Sequence, residues 1–393
     1  TTKIKLEKSK IIPYGRQDIT KDDIESVVKV LRSDFLTQGP AVPLFEQKLC
    51  DYTGAKYAVA VNSCTSALHI ACLVLDLGPG DILWTSPITF VASANCALYC
   101  GASVDFVDIE PDTALMSVEK LKEKLEYAAK EGKLPKIVIP VHFAGQPCDM
   151  KEIHTLSQQY GFKIIEDAAH AIGAKYQSQP VGNCRYSDIT AFSFHPVKII
   201  TTGEGGVAMT NSLLLAEKMR LLRSHGVTRD PVKMQNKPDG SWYYEQISLG
   251  FNYRMTDIQA ALGNSQLKRL DQYVSYRNKI AELYNEQFKN TTIKPLVKKS
   301  ERTSACHLYV IRVANNKARK ALFSKLLDIG VKTNVHYIPV IKQPYYQNMG
   351  YKIEQFPVTN AYYQNTLSIP LYYGLSNVDQ ELVISSIKKL LNK

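Results

Sequence analysis

The 393-residue chain contains no apolar run long enough to cross a membrane, and its opening TTKIKLEKSK lacks the apolar stretch of a secretory signal. Its eight cysteines, Cys50, Cys64, Cys72, Cys96, Cys100, Cys148, Cys184 and Cys306, form no CxxC pair. That argues against a paired-thiol metal or redox centre, and no metal site is expected. Most of these cysteines lie in apolar runs, where a free thiol behaves as a small hydrophobe, so the expected compartment is the reducing cytoplasm. Repeats and low-complexity segments are also missing. Lysine and arginine exceed aspartate and glutamate by 11, yet the excess is scattered, with minor clusters at KLEKSK and VKKSER. No basic helix or aromatic-interleaved stripe is present to grip nucleic acid. A solvated surface explains the charge, and anionic small molecules would suit it.

What is present is a soluble, two-or-three-domain composition with strands and helices alternating from about residue 20 to 225. Thr20 is placed to cap a helix carrying Ile24, Val27, Val28 and Leu31 at helical spacing, and Gly54 to stop a second helix. Strands are predicted at 57–62, in ILWTSPITF, and at 103–109, 136–143, 163–169, 188–195 and 206–211. Helices are predicted at 65–77, 91–100, 117–130, 149–160 and 213–224. Such alternation predicts an α/β fold, a mostly parallel sheet flanked by helices on both faces. A polar loop follows from Thr228 to Ile247, then two helical stretches near 256–289. A smaller C-terminal α/β unit is expected after about 295, with HLYVIRV and VKTNVHYIP as strands and helices at 316–329 and from 376. The corresponding division is 1–250, 251–290 and 291–393.

Ligands of open α/β sheets bind beyond the carboxyl ends of the strands. Lys198 sits there, in SFHPVKIITTGEGG, just past the strand AFSFH, and the preceding strand KIIEDAAH ends in Asp167 and His170. A lysine and an aspartate at two strand ends of one sheet are what pyridoxal phosphate chemistry requires. The amine holds the cofactor covalently, and the carboxylate keeps the pyridine nitrogen protonated. The helix opening at SCTSAL offers backbone amides with the Thr65 and Ser66 hydroxyls to a phosphate, and Phe90 could stack on a flat ring. Taken singly, each has an ordinary structural explanation: a helix cap for Thr65, Ser66 or Asp167, a core ring for Phe90, a buried hydroxyl for Ser193, a core histidine for His170. Their joint occurrence with Lys198 favours the cofactor. TTGEGG is not a phosphate loop, because it lacks GxxxxGK[ST] and leads into a strand.

The runs NSCTSAL, SPITFVASAN, IIEDAAHAIGA, SFHPVK, GEGG, LLRSHG and GFNYRMTDIQAALG resemble those of the DegT/StrS-type sugar-nucleotide aminotransferase family, from roughly Ile12 to the C-terminus. The resemblance implies the aspartate aminotransferase (type I) fold with bound pyridoxal 5'-phosphate. It implies that Lys198 carries the cofactor, Asp167 pairs with its ring nitrogen, His170 lies near its phenolic oxygen and Phe90 stacks on it. It further places the phosphate at the backbone of Cys64 and Thr65 with Ser193, and on Asn252 of a second copy, which makes a homodimer necessary. Tyr14, the stretch Asp34, Phe35, Leu36 and Thr37, and His336, Tyr337, Ile338 and Pro339 are expected to line the sugar-nucleotide site, beside Cys64, Ser193 and Asn252. Cys64 departs from relatives that often carry alanine or glycine, with little expected effect.

Within the family, SDFLTQGPAV, SFHPVKIITTGEGG, RSHGVTRD followed by a loop, and VHYIPVIKQPYYQ resemble the branch acting in pseudaminic acid biosynthesis. That implies glutamate as amino donor and a UDP-4-keto-6-deoxy-N-acetylhexosamine as acceptor, yielding UDP-4-amino-4,6-dideoxy-N-acetyl-beta-L-altrosamine. Another 4-keto-6-deoxy sugar nucleotide, of viosamine, perosamine or aminoarabinose type, is the nearest alternative. A sugar dehydratase on the same fold would carry histidine in place of Lys198. A non-catalytic sensor or scaffold would be expected to have lost Lys198 or Asp167.

Overall fold

A computed structural model of the chain describes residues 11–391; the KLEKSK segment lies outside them. Seven strands form the main sheet: β1 (Tyr57–Val61), β2 (Ile82–Thr85), β3 (Ser103–Phe106), β4 (Ile137–Ile139), β5 (Lys163–Asp167), β6 (Ile189–Ser193) and β7 (Gly206–Thr210). Their spatial order is β1-β7-β6-β5-β4-β2-β3. Neighbours from β3 through β6 run parallel, while β7 is antiparallel to both β6 and β1. Strands β4, β6 and β7 are buried along their whole length. Their largely apolar character follows from cover on both faces, which removes the need for a polar side. The α/β reading with a mostly parallel sheet is therefore correct.

The helices lie where strand-helix alternation puts them. Helices Cys64–Val74, Ala92–Tyr99, Val118–Glu131, Met150–Tyr160 and Leu213–Leu222 connect the strands. Gly54 ends the helix Ala41–Thr53 in the left-handed conformation (φ 82°), its N–H donating to the Cys50 carbonyl, a position that glycine occupies without strain. In helix Lys21–Leu31, Thr20 stands at the N-cap and the Asp23 carboxylate accepts from its N–H and hydroxyl. The apolar stripe of this helix is only partly covered within one chain: Val27 and Val28 are half-buried, whereas Ile24 and Leu31 are exposed.

A second sheet joins Lys294–Pro295, Tyr309–Arg312 and Thr366–Ile369, all antiparallel. It packs with Asn316–Asp328 and Asn377–Leu391 around Ile311, Leu326, Leu367 and Val383. Two expectations need correction here. VKTNVHYIP is not a strand: its backbone pairs with other segments only through isolated bridges, Ile12 with Val331 and Asn334 with Ser368. The third strand is instead Thr366–Ile369, which captures the edge of Tyr309–Arg312. In addition, ILWTSPITF is a strand only through Thr85, because the chain bends over Pro87–Thr89 towards the next helix. The polar loop after Thr228 is closed at its base by a two-residue pairing of Val227–Thr228 with Glu245–Gln246.

Candidate active site

Parallel pairing of β5 with β6, in register Asp167 with Ala191, brings the carboxyl ends of the two strands side by side. Asp167 ends β5 and is buried. Its Oδ2 accepts from the Ser93 hydroxyl at 2.6 Å and its Oδ1 from the Ala169 N–H at 3.1 Å. Past β6 the chain folds over the sheet edge: the Lys198 N–H donates to the His195 carbonyl, and Thr201 and Thr202 both donate to the Phe194 carbonyl. This loop holds half-buried Lys198 over the strand ends. Burial pushes the Lys198 amine down to about 8, against the opposing pull of Cys64 and Asp167 nearby.

Around that amine stand three buried histidines, His170, His307 and His336. Burial, and then the Lys198 charge, drives His170 well below the ordinary histidine range and His336 to about 3. For His307 burial acts first, followed by His170 and Lys198. All three are neutral at physiological pH. The Tyr337 hydroxyl lies 2.9 Å from His170 Nε2. Burial raises the Tyr337 phenol far above its ordinary value, so it remains protonated and able to donate. In the tautomer where Tyr337 donates, Nε2 accepts and the imidazole proton sits on Nδ1. That Nδ1 is buried and, among the described residues, has no hydrogen-bond partner. A buried donor without an acceptor is costly unless a ligand supplies one.

The helix Cys64–Val74 opens at the end of β1. Ser63 caps it by accepting from the Ser66 N–H, and the first-turn amides of Cys64 and Thr65 have no acceptor within the helix. Gly206 lies so close that a Cβ there would meet the Cys64 nitrogen at 2.5 Å. The glycine in GEGG thus permits β7 to run against this helix start. Burial raises the Cys64 thiol, so it stays neutral beside an anion site. Ser193, the last residue of β6, is buried. Phe90 is 61% exposed, and its ring centroid is 6.4 Å from that of Tyr337. It is not a core phenylalanine but an apolar face presented to an opening. These features fit pyridoxal phosphate: an amine, a carboxylate, a free imidazole N–H, an exposed ring and an open helix N-terminus.

The other expected residues divide into two groups. Tyr14 packs on His336 at 5.4 Å between centroids, His336 bonds Ser368 through Nδ1 at 2.8 Å, and the Val340 N–H ties the 336–339 segment to the Pro87 carbonyl. Tyr14, His336 and Tyr337 therefore join the Lys198 cluster, with Pro339 buried beside them and Ile338 exposed. Asp34, Phe35, Leu36 and Thr37 are exposed and turn towards the start of helix Asp257–Gln266, where Leu36 and Thr37 pair with Asp257 and Thr256. Asn252 is exposed too, its carbonyl receiving the Asn62 amide at 3.3 Å. Among the described residues, no hydrogen bond, ion pair or ring contact joins these to Lys198 within one chain. Ser93, Thr89 and His307 escaped the sequence reading. Thr89 and Ser93 do show the i, i+4 spacing of one helical face, whereas nothing local marks His307.

The fold and this site define a pyridoxal-phosphate-type aminotransferase. The sequence profile of the DegT/DnrJ/EryC1/StrS aminotransferase family matches residues 17–388. The chain is 40% identical over 392 residues to the spore coat polysaccharide biosynthesis protein SpsC of Bacillus subtilis, covering 98% of each. It is 36% identical over 386 residues to the UDP-4-amino-4,6-dideoxy-N-acetyl-beta-L-altrosamine transaminase of Campylobacter jejuni, again covering 98% of each. Its structure resembles the PLP-form of the putative sugar aminotransferase Spr1654 from Streptococcus pneumoniae, with TM-score 0.88, 31% identity, and 98% and 99% of the two chains covered. The chain belongs to the DegT/DnrJ/EryC1/StrS family of PLP-dependent sugar aminotransferases.

Proposed function

We propose that the protein uses pyridoxal 5'-phosphate to move an amino group from glutamate to C4 of a UDP-4-keto-6-deoxy-N-acetylhexosamine, giving UDP-4-amino-4,6-dideoxy-N-acetyl-beta-L-altrosamine. The observation that carries the reading is the pairing of a depressed Lys198 amine with a buried Asp167 carboxylate at adjacent strand ends. When bound, the cofactor supplies an electron sink for the carbon that loses its proton. Lys198 would hold it covalently and, once freed, would be the base that moves that proton; a lowered pKa makes its neutral form available. Asp167 would keep the ring nitrogen protonated, His170 would lie beside the phenolic oxygen, and Phe90 would stack on the ring. The amides of Cys64 and Thr65 with Ser193 would hold the phosphate.

The named sugar rests on the 36% identity to the Campylobacter enzyme and on the 34–37 and 336–339 segments. The 40% identity to SpsC favours, as a second reading, the same chemistry on another 4-keto-6-deoxy sugar. A scaffold role is opposed by the intact Lys198 and Asp167. The reading places the enzyme in the cytoplasm, which suits eight free thiols; among the described residues no helix is long and apolar enough to cross a membrane. It divides the chain into a large unit to residue 250, connecting helices and a small unit from 291. It also requires a homodimer in which Asn252 completes the neighbouring phosphate site. Exposed apolar side chains support that requirement, with Val232 and Leu249 91% and 80% exposed and the Ile24 and Leu31 stripe uncovered.

Visible absorbance of the purified protein tests this directly. A band that bleaches with glutamate and returns with one UDP-4-keto-6-deoxy sugar establishes the reaction and names its acceptor. Protein that stays colourless when pyridoxal phosphate is supplied would overturn it.

A further inference from the structure

We infer that Ser93 is a positioning residue for Asp167, oriented in turn by Thr89, and that the pair sets how firmly the carboxylate grips the cofactor ring; the inference rests on the function proposed above. Ser93 lies in the first turn of helix Ala92–Tyr99 between two alanines, with none of its surface exposed. Its Oγ is 2.6 Å from Asp167 Oδ2 and 2.7 Å from Thr89 Oγ1. An ionised carboxylate only accepts, so the single Ser93 proton goes to Asp167. Ser93 can then only accept from Thr89, which is also buried. The bonds run in one direction, Thr89 to Ser93 to Asp167, and a chain that ends on a charge strengthens along its length.

The geometry separates this role from a plain turn. A structural aspartate at the end of β5 would be accounted for by the Ala169 N–H on Oδ1 alone. The hydroxyl pair adds a second restraint from a distant helix, 74 residues away in sequence. Each carboxylate oxygen keeps a free lone pair, but neither carboxylate torsion is left free. The same turn presents Phe90, whose carbonyl accepts from the Ser93 N–H at 3.3 Å and whose ring is exposed. One short segment therefore fixes the ring-stacking residue and the ring-nitrogen carboxylate relative to each other.

Pyridoxal phosphate titrated into the cofactor-free protein, and the pH midpoint of the visible band once it is bound, test the idea. Ser93→Ala should weaken cofactor affinity about tenfold. It should also move the spectral midpoint upward by about 0.5 pH unit, because a loosened Asp167 stabilises less positive charge on the ring. Ser93→Thr, which keeps the hydroxyl, should restore both readings, and Thr89→Val should shift both in the same direction by less. A purely packing role would lower the melting temperature of Ser93→Ala but leave affinity and midpoint at wild-type values, and that result overturns the inference. Should Ser93→Ala not fold, wild-type values in Thr89→Val overturn it equally. Wild-type protein that binds no pyridoxal phosphate would instead refute the proposed function itself.

Discussion

The Tyr337 hydroxyl and His170 Nε2, 2.9 Å apart, join the segment that follows Val331 to the carboxyl end of β5. The contact spans 167 residues of sequence, and with Tyr337 as the donor it leaves the imidazole proton on Nδ1. Tyr337→Phe removes the donor and leaves a buried acceptor unpaired, a loss of about 1–3 kcal/mol. Melting should fall by a few degrees. Turnover should fall further than stability explains, since His170 can then invert its tautomer and withdraw the Nδ1 proton from the cofactor. Calorimetry and steady-state rates on one preparation check this; wild-type turnover would detach His170 from the chemistry.

Phe90 offers the reverse separation. Its side chain is largely exposed, so Phe90→Ala should leave unfolding free energy within about 0.5 kcal/mol of wild type. Loss of a stacking face costs on the order of 0.5–1.5 kcal/mol beyond area, so pyridoxal phosphate should dissociate several-fold to about tenfold more readily. Equilibrium dialysis beside a denaturant curve measures both. A large stability loss with unchanged cofactor affinity would make Phe90 a core residue after all.

That outcome bears on what the sequence could reveal. Apolar spacing cannot tell a core ring from one facing a cleft, so Phe90 stayed ambiguous until its exposure was known. Lys198 and Asp167 were legible because their signal is local: a strand, a polar residue at its end, and a glycine-rich return. Ser93 was hidden because its importance lies in a contact across 74 residues. VKTNVHYIP reads as a strand by composition, but its backbone finds only single bridges, to Ile12 and Asn334's partner Ser368. Pro339, which has no N–H to give, ends the stretch. The apolar stripe of Lys21–Leu31 was visible, yet nothing in a single sequence says whether the same chain or a second copy covers it.

The depressed Lys198 amine predicts a pH profile for cofactor capture. Only the neutral amine attacks the aldehyde, and its folded-state pKa is about 8. The observed rate constant for appearance of the visible band in cofactor-free protein should rise about tenfold per pH unit below that value and level off above it. Stopped-flow absorbance from pH 6 to 10 gives the inflection. An inflection near the ordinary lysine value of ~10.4 would show that burial does not perturb this amine.

On the opposite face of β5, Glu166 accepts from His142 Nε2 at 2.7 Å and from Thr190 at 2.9 Å, with Ser187 as a third partner. Burial alone would raise its pKa, but these hydrogen bonds, His142 foremost, hold it below the ordinary glutamate value. The folded pKa is depressed, so the stabilisation is complete above the unfolded pKa of ~4.3 and disappears as pH falls through the folded value. Glu166→Ala should cost about 1–3 kcal/mol by leaving the buried His142 donor without its acceptor and flatten the acid limb of the stability curve. Denaturant midpoints from pH 7 down to 3 provide the comparison. An unchanged acid limb would remove Glu166 from the acid response.

The shared-site dimer yields to complementation. Lys198→Ala alone should lose the visible band, and its turnover should fall by at least about 10²–10⁴-fold from the missing proton transfer. Asn252→Ala alone should hold pyridoxal phosphate about tenfold more weakly through loss of one phosphate contact. If Asn252 serves the neighbouring subunit, a mixed dimer of the two variants contains one site with an intact Lys198 and an intact Asn252, drawn from different chains. Unfolding and refolding an equal mixture should then restore about one wild-type site in four. If Asn252 serves its own chain, every mixed dimer is defective at both sites and the mixture only averages its parents. Cofactor titration of the mixture counts tight sites without needing the sugar substrate. A count that never exceeds the parental average would place Asn252 in its own subunit's site, beside the Asn62 amide that already touches its carbonyl.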